Sequence, residues 1–252
     1  MIPFSKPVVS TLSNVFESKL INFYIKFTSL TAGRDSIYRF LQYFGRFLQY
    51  HLSSHNGSKK LIASLILLQS TLGQARKVMR AGKFIDSFKG GLQVLKNPGD
   101  ELSKLLVGSS RMALGGYLTL DTLLLLNSLG FINVKNAANL TRTSLKAWFA
   151  SIFLNWLNSL YQMYALNLQF KTVQRIEKYS NESELKEPEF ALERKNLLKR
   201  SVARLQFFQT SLDMLIPLGL LRSFPISDGI IGAAGSITSI IGGNTLANTL
   251  TG

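Results

Sequence analysis

Cysteine is absent from this 252-residue chain, which excludes a disulfide scaffold, a thiolate nucleophile and any cysteine-ligated metal. Histidine is nearly absent: the two present, His51 and His55, stand four apart with no glutamate between them and no third ligand nearby. They read as a helix-end histidine and a turn histidine, and no metal or other cofactor is expected. Negative charge is scarce, with 14 Asp and Glu against 29 Lys and Arg. The aspartates at 35, 86, 121, 213 and 228 are too scattered to argue for a paired-carboxylate site. Gly229, Gly232 and Gly235 superficially suggest a phosphate loop, but no Gly-Lys-Ser/Thr follows and no β-rich run precedes them. The first twenty residues lack the continuous apolar run of a secretory signal, and the terminal NTLTG is not a peroxisomal matrix address. The chain carries no constellation expected of an enzyme.

What is present is apolar and basic. Apolar residues make up 46% of the chain and charged ones 17%, against roughly 25% charged in a typical soluble domain. The net charge of +15 points to a polyanionic partner. Residues 1–100 carry 14 basic and 4 acidic side chains, so the excess is concentrated there. No nucleic-acid recognition motif accompanies it, and nucleic acid is not an expected partner. An acidic phospholipid surface is.

The periodicity is helical throughout. Helices are expected over 15–29, 35–53, 59–88, 102–131, 144–178, 188–216 and 227–243, giving an all-α, membrane-associated bundle of amphipathic and hydrophobic helices with no β-sheet. The runs at Leu61–Leu72 and Met112–Ile132 are leucine-rich and longer than strands. TAGRD at Thr31–Asp35 is expected to break the chain at Gly33, and Gly90–Gly91 with Pro98–Gly99 to punctuate it again. Four regions follow: a basic amphipathic region (1–100), a hydrophobic hairpin (101–176), a charged loop (177–193), and an amphipathic helix followed by a glycine-rich apolar helix (194–252).

Three groups of residues stand out. The basic half of the 59–88 helix sets Arg76, Lys77, Arg80 and Lys83 beside an apolar stripe of Leu65, Leu68, Leu72 and Met79, a pattern that can lie in a bilayer interface. Met112–Ile132, Ala147–Phe170 and 226–243 are long and nearly uncharged, and are expected within or against the bilayer. Asp121 in the first must then be paired. Asn155 and Asn158, with Gln162 and Asn167, give the second a polar side, read either as helix–helix hydrogen bonding or, with Asp121, as the lining of a solute path. Finally, Gly229, Gly232 and Gly235 form a small-residue groove that permits close helix approach. Its expected partner is a second copy or the Met112–Ile132 helix with its Gly115–Gly116 patch.

The chain resembles the Pex11-type peroxisomal membrane proteins in three stretches. Gly33-Arg34-Asp35, Leu41-Gln42-Tyr43 and Arg46-Phe47-Leu48 match the N-terminal signature. Ala75-Arg76-Lys77 with Arg80 and Lys83 match a second segment, and Ser227-Asp228-Gly229 opens the third. The resemblance implies a peroxisomal membrane location and a role in elongating that membrane and promoting division, with self-association. It also implies contact with the cytosolic fission machinery, including a dynamin-related GTPase. A solute-conducting protein and a scaffold for fission factors are the alternatives.

Overall fold

The computed structural model describes residues 16–179 and 187–251. Among them are eight helices and no strand: α1 Lys19–Ser29, α2 Thr31–Ser54, α3 Lys59–Arg80, α4 Phe84–Lys96, α5 Glu101–Ser128, α6 Ala137–Tyr179, α7 Glu187–Leu220 and α8 Asp228–Thr251. The all-helical expectation is met.

Two expected boundaries move. The chain turns at Leu30, where ψ is 132°, and Thr31–Asp35 already belongs to α2. Gly33 is required for close approach rather than flexibility, since a Cβ there would stand 2.9 Å from the Phe27 carbonyl carbon in α1. The helix expected over 59–88 is two helices. Ala81 ends α3, and Gly82 follows at φ 82°, the left-handed conformation that closes helices and that glycine adopts without strain. Gly90–Gly91 lies inside α4, where Gly91 meets Met112 and Gly108 of α5. Of the loop expected over 177–193, α6 takes residues to Tyr179 and α7 begins at Glu187. Residues 180–186 lie outside the described residues.

The helices close into a circuit. α2 packs on α3 and α8, α3 on α5, α5 on α6, α6 on α7, and α7 on α8, while α4 pairs with α5 outside this ring. Side-chain contacts fix the directions. Tyr50, Phe47 and Tyr43 of α2 meet Gly229, Gly232 and Gly235 of α8 in turn, an antiparallel register. Ser103 and Ser110 of α5 meet Asn158 and Ser151 of α6, and Trp156 and Asn167 of α6 meet Ser211 and Arg200 of α7, again antiparallel. Six helices alternating in direction can close on themselves with every neighbour antiparallel. The apolar centre is small: Tyr43, Ile216 and Ile231, with Trp148, Leu220 and Ile226 packed around them.

α5 starts at a defined cap. The Asp100 carboxylate accepts the Ser103 backbone N–H at 2.8 Å and the Tyr161 hydroxyl at 2.7 Å. These two bonds hold its pKa below the usual carboxylate value. The stabilisation is therefore full above the ordinary aspartate pKa and is lost as pH falls through the lowered one. Asp100→Ala is expected to lower the thermal midpoint at neutral pH, with the gap to wild type narrowing as the solution is acidified. Thermal scans of both proteins across that pH range check this.

Candidate functional site

The interior of the ring is polar. Among the described residues ten polar or charged side chains are buried, nearly as many as the buried apolar ones, which are eleven with Pro217. Soluble cores do not have that balance, because a buried polar group costs free energy unless it is bonded. Ser159, Ser236 and Ser239 bond to their own helix backbone, while the charged groups are satisfied across helix interfaces. Arg39 of α2 pairs with Asp213 of α7 and donates to Thr238 of α8 at 3.0 Å, tying three helices. Arg76 of α3 donates to Asp35 and Gln42 of α2, both at 2.8 Å. Arg80 donates to Asp121 of α5 at 2.9 Å and lies over the Tyr117 ring. Arg46 and Asp228 pair at 3.3 Å between α2 and α8.

These contacts redistribute the residues expected to meet the bilayer. Arg76, only 7% exposed, and Arg80 are turned inward to carboxylates 41 positions away in sequence. Lys77 stands 4.0 Å from Asp121, and Lys83 falls in the turn after α3. The four cations therefore do not form one outward patch. The apolar stripe divides in the same way. Leu65 is buried against Gly45 of α2 and Leu72 and Met79 are half-buried, while Leu68, which also reaches Gly45, stays exposed. The outward side of α3 is Leu61, Ile66, Leu67, Leu68 and Val78. α3 is apolar nearly all round in its first half, so periodicity marks a stripe without saying which neighbour covers it.

The glycine groove is filled within the chain. Gly229, Gly232 and Gly235 are all buried, and α2 lies in the groove they form. A Cβ on Gly229 would stand 2.5 Å from the Tyr50 ring, and one on Gly232 2.7 Å from the Phe47 Cα. The close approach read from the spacing is present, but α2 is the partner, in place of a second copy or the Met112–Ile132 helix. Gly115 of that helix takes Phe88 of α4, and Gly116 has nothing within 4 Å of a Cβ. The α2 signature includes Tyr43, whose ring meets Gly235, and Phe47, whose backbone lies against Gly232, flanked by the paired Arg39 and Arg46. Glycines in one segment and aromatics at matching intervals in another are the signal that could have joined them.

The polar side of α6 is also engaged internally. Asn158 is buried and accepts the Ser103 hydroxyl at 2.8 Å, while Gln162 donates to the same hydroxyl oxygen. Asn155 lines a cavity between α6, α7 and α8 with Gln209 and Asp213. Asp121, the third member of that expected lining, is buried against Arg80.

The exterior is rich in apolar side chains. Thirty-three large apolar side chains are exposed among the described residues, far more than scattered surface apolars require. They occur on every described helix, as with Ile66 and Leu67 on α3, Val202 and Phe208 on α7, and Ile230, Ile237 and Ile240 on α8. One described helix, Asp228–Thr251, is long and apolar enough to cross a membrane by length and composition.

Comparison with known proteins agrees over nearly the whole chain. The family profile of peroxisomal biogenesis factor 11 (PEX11) matches residues 21–247. Peroxisomal membrane protein 11A of Homo sapiens is 26% identical over 237 residues, covering 89% of this chain and 95% of that protein. Peroxisomal membrane protein PMP30B of Candida boidinii is 29% identical over 236 residues, 86% of this chain and 90% of the relative. Peroxisomal membrane protein 11E of Arabidopsis thaliana is 28% identical over 221 residues, covering 86% and 87% respectively. No solved structure matches.

Proposed function

We propose that this chain, which belongs to the peroxisomal biogenesis factor 11 family and resides in the peroxisomal membrane, elongates that membrane ahead of organelle division. The carrying observation is the thirty-three exposed large apolar side chains, found on every described helix, while Arg76 and Asp121 are paired inside. Such a surface is costly in water and favourable against acyl chains. A body inserted into one leaflet expands its area and bends the bilayer toward that side. Self-association and recruitment of the cytosolic fission machinery, including a dynamin-related GTPase, are the steps that would extend local bending into a dividing neck. A solute path lined by Asp121, Asn155 and Asn158 has less support, since Asp121 and Asn158 already hold partners within the chain.

Purified protein added to vesicles rich in acidic phospholipid is expected to draw tubules, seen by electron microscopy. Vesicles left round would overturn direct bending and leave recruitment as the function. The outward side of α3 supplies a graded test. Ile66, Leu67 and Val78 are each at least half exposed. Replacing all three with serine is expected to weaken membrane partition by about 3 kcal/mol, roughly a hundredfold, at about 1 kcal/mol per half-buried aliphatic side chain. Vesicle flotation measures it.

A further inference from the structure

The end of α7 carries a residue that its backbone disfavours. The Arg222 N–H donates to the Gly219 carbonyl at 3.1 Å, and the Ser223 N–H reaches back to the Leu218 carbonyl at 3.3 Å, the paired bonds of a Schellman closure. α5 closes by the same pair, Gly130 to Asn127 and Phe131 to Leu126. The left-handed position there is held by Gly130, at φ 81°; in α7 it is held by Arg222, at φ 54°. Glycine takes that conformation freely, and a larger side chain takes it at a cost. Among the described residues the other non-glycine in this region is Asn56, a residue type that tolerates it. The fold gains nothing visible from the arginine, which is exposed and holds no ion pair or side-chain hydrogen bond among the described residues. A strained position whose side chain serves no packing or pairing role points to a role outside the fold.

Arg222 lines an open cavity of about 740 Å³ between the α7–α8 connection and α2, a volume within the range of small-molecule sites. Arg46 of α2 lines it as well. The Arg46 Nε faces Asp228 at 3.3 Å, its side chain remains 26% exposed, and its terminal nitrogens hold no partner among the described residues. Two accessible guanidinium groups against one aspartate leave one positive charge. Guanidinium donors match phosphate oxygens in pairs. A single excess charge suits a phosphodiester, which carries one negative charge, better than a monoester with about −1.5 to −2. Leu220, Phe224 and Ile226 give the same cavity an apolar wall, with Phe224 exposed. We propose that this cavity binds the phosphodiester group of a glycerophospholipid, with Arg222 and Arg46 donating to its oxygens and the apolar wall meeting the glycerol and first acyl carbons. A soluble glycerophosphodiester offers the same anion without the chains. The site requires only residence in a membrane, so it stands or falls independently of membrane bending.

Arg222→Gly separates the two roles of the position, because it relieves the backbone and removes the donors together. In full-length protein held in dodecyl maltoside, dihexanoylphosphatidylcholine is expected to raise the thermal midpoint saturably, as a ligand of the folded state does. Dihexanoylglycerol, which has the chains without the phosphate, should not. Without lipid, Arg222→Gly is expected to unfold at a higher temperature than wild type. It should nevertheless need at least tenfold more phospholipid for half of the wild-type rise. Arg222→Lys keeps the charge and the left-handed backbone but loses the planar fork, and should lose affinity without gaining stability. A wild-type response to glycerophosphocholine at the same concentration as to the lipid would assign the site to soluble phosphodiesters; a response to the lipid alone assigns it to the membrane. The proposal is overturned if the phospholipid and dihexanoylglycerol act alike, or if Arg222→Gly binds phospholipid as wild type does. It is overturned equally if Arg222→Gly is the less stable protein before lipid is added, since the arginine would then serve the fold.

Discussion

Gly232→Ala, the addition of one methyl group, is expected to separate α8 from α2 and to destabilise the bundle by about 3 kcal/mol, at the upper end of overpacking costs. The magnitude follows from what the new Cβ would meet. It would lie 2.7 Å from the Phe47 Cα and 2.8 Å from the Tyr43 carbonyl oxygen. Both are backbone atoms, which cannot rotate aside as a side chain can. The only relief is to move one helix from the other, which loosens the aromatic contacts at Gly229 and Gly235 and pulls apart the Arg39–Thr238 bond. Gly116→Ala is the matched control. Nothing lies within 4 Å of a Cβ there, so the change keeps the packing and gains helix propensity of up to about 1 kcal/mol. Thermal unfolding in one detergent should place the two variants on opposite sides of wild type. Equal midpoints would show that α2 does not occupy the groove.

The pairing of α2 with α8 shows what the sequence could and could not reveal. Small residues three apart in an apolar run imply a close neighbour, because nothing else offsets the poor helix propensity of glycine. That inference needs only local spacing and it held. The identity of the neighbour is a long-range property, set by which other helix presents aromatics at the complementary interval. Asp121 followed the same pattern. A carboxylate in the middle of an apolar helix must be paired, and it is, but its partner Arg80 was read as a lipid-facing cation. The basic helix face was legible as basic and amphipathic; its direction was not, since a cation serves equally to meet a headgroup or a buried carboxylate. Helix existence was legible nearly everywhere. The split at Gly82 was not, because helical periodicity continues across it and only the backbone turn at Ala81 and Gly82 ends the helix.

The pairing of Asp121 also sets the second large effect. Asp121→Asn preserves shape but removes the charge that neutralises Arg80, whose Nη2 it holds at 2.9 Å, and that attracts Lys77. An uncompensated cation inside the ring, beside a ring of Tyr117 that is itself buried, is costly, and removing one partner of a buried pair typically destabilises by about 3–5 kcal/mol. The loss belongs mostly to the charge left behind rather than to the bond removed. It follows that taking away the arginine as well should restore stability. The double variant Arg80→Met/Asp121→Leu replaces the pair by apolar groups of comparable size and is expected to recover most of the lost midpoint, as apolar replacement of buried ion pairs often does. Arg80→Met alone leaves Asp121 with only Lys77 at 4.0 Å and should fall between the two. The three midpoints, measured in one detergent at neutral pH, decide the matter: a double variant no more stable than Asp121→Asn would mean that the pair contributes packing or specificity beyond mutual neutralisation.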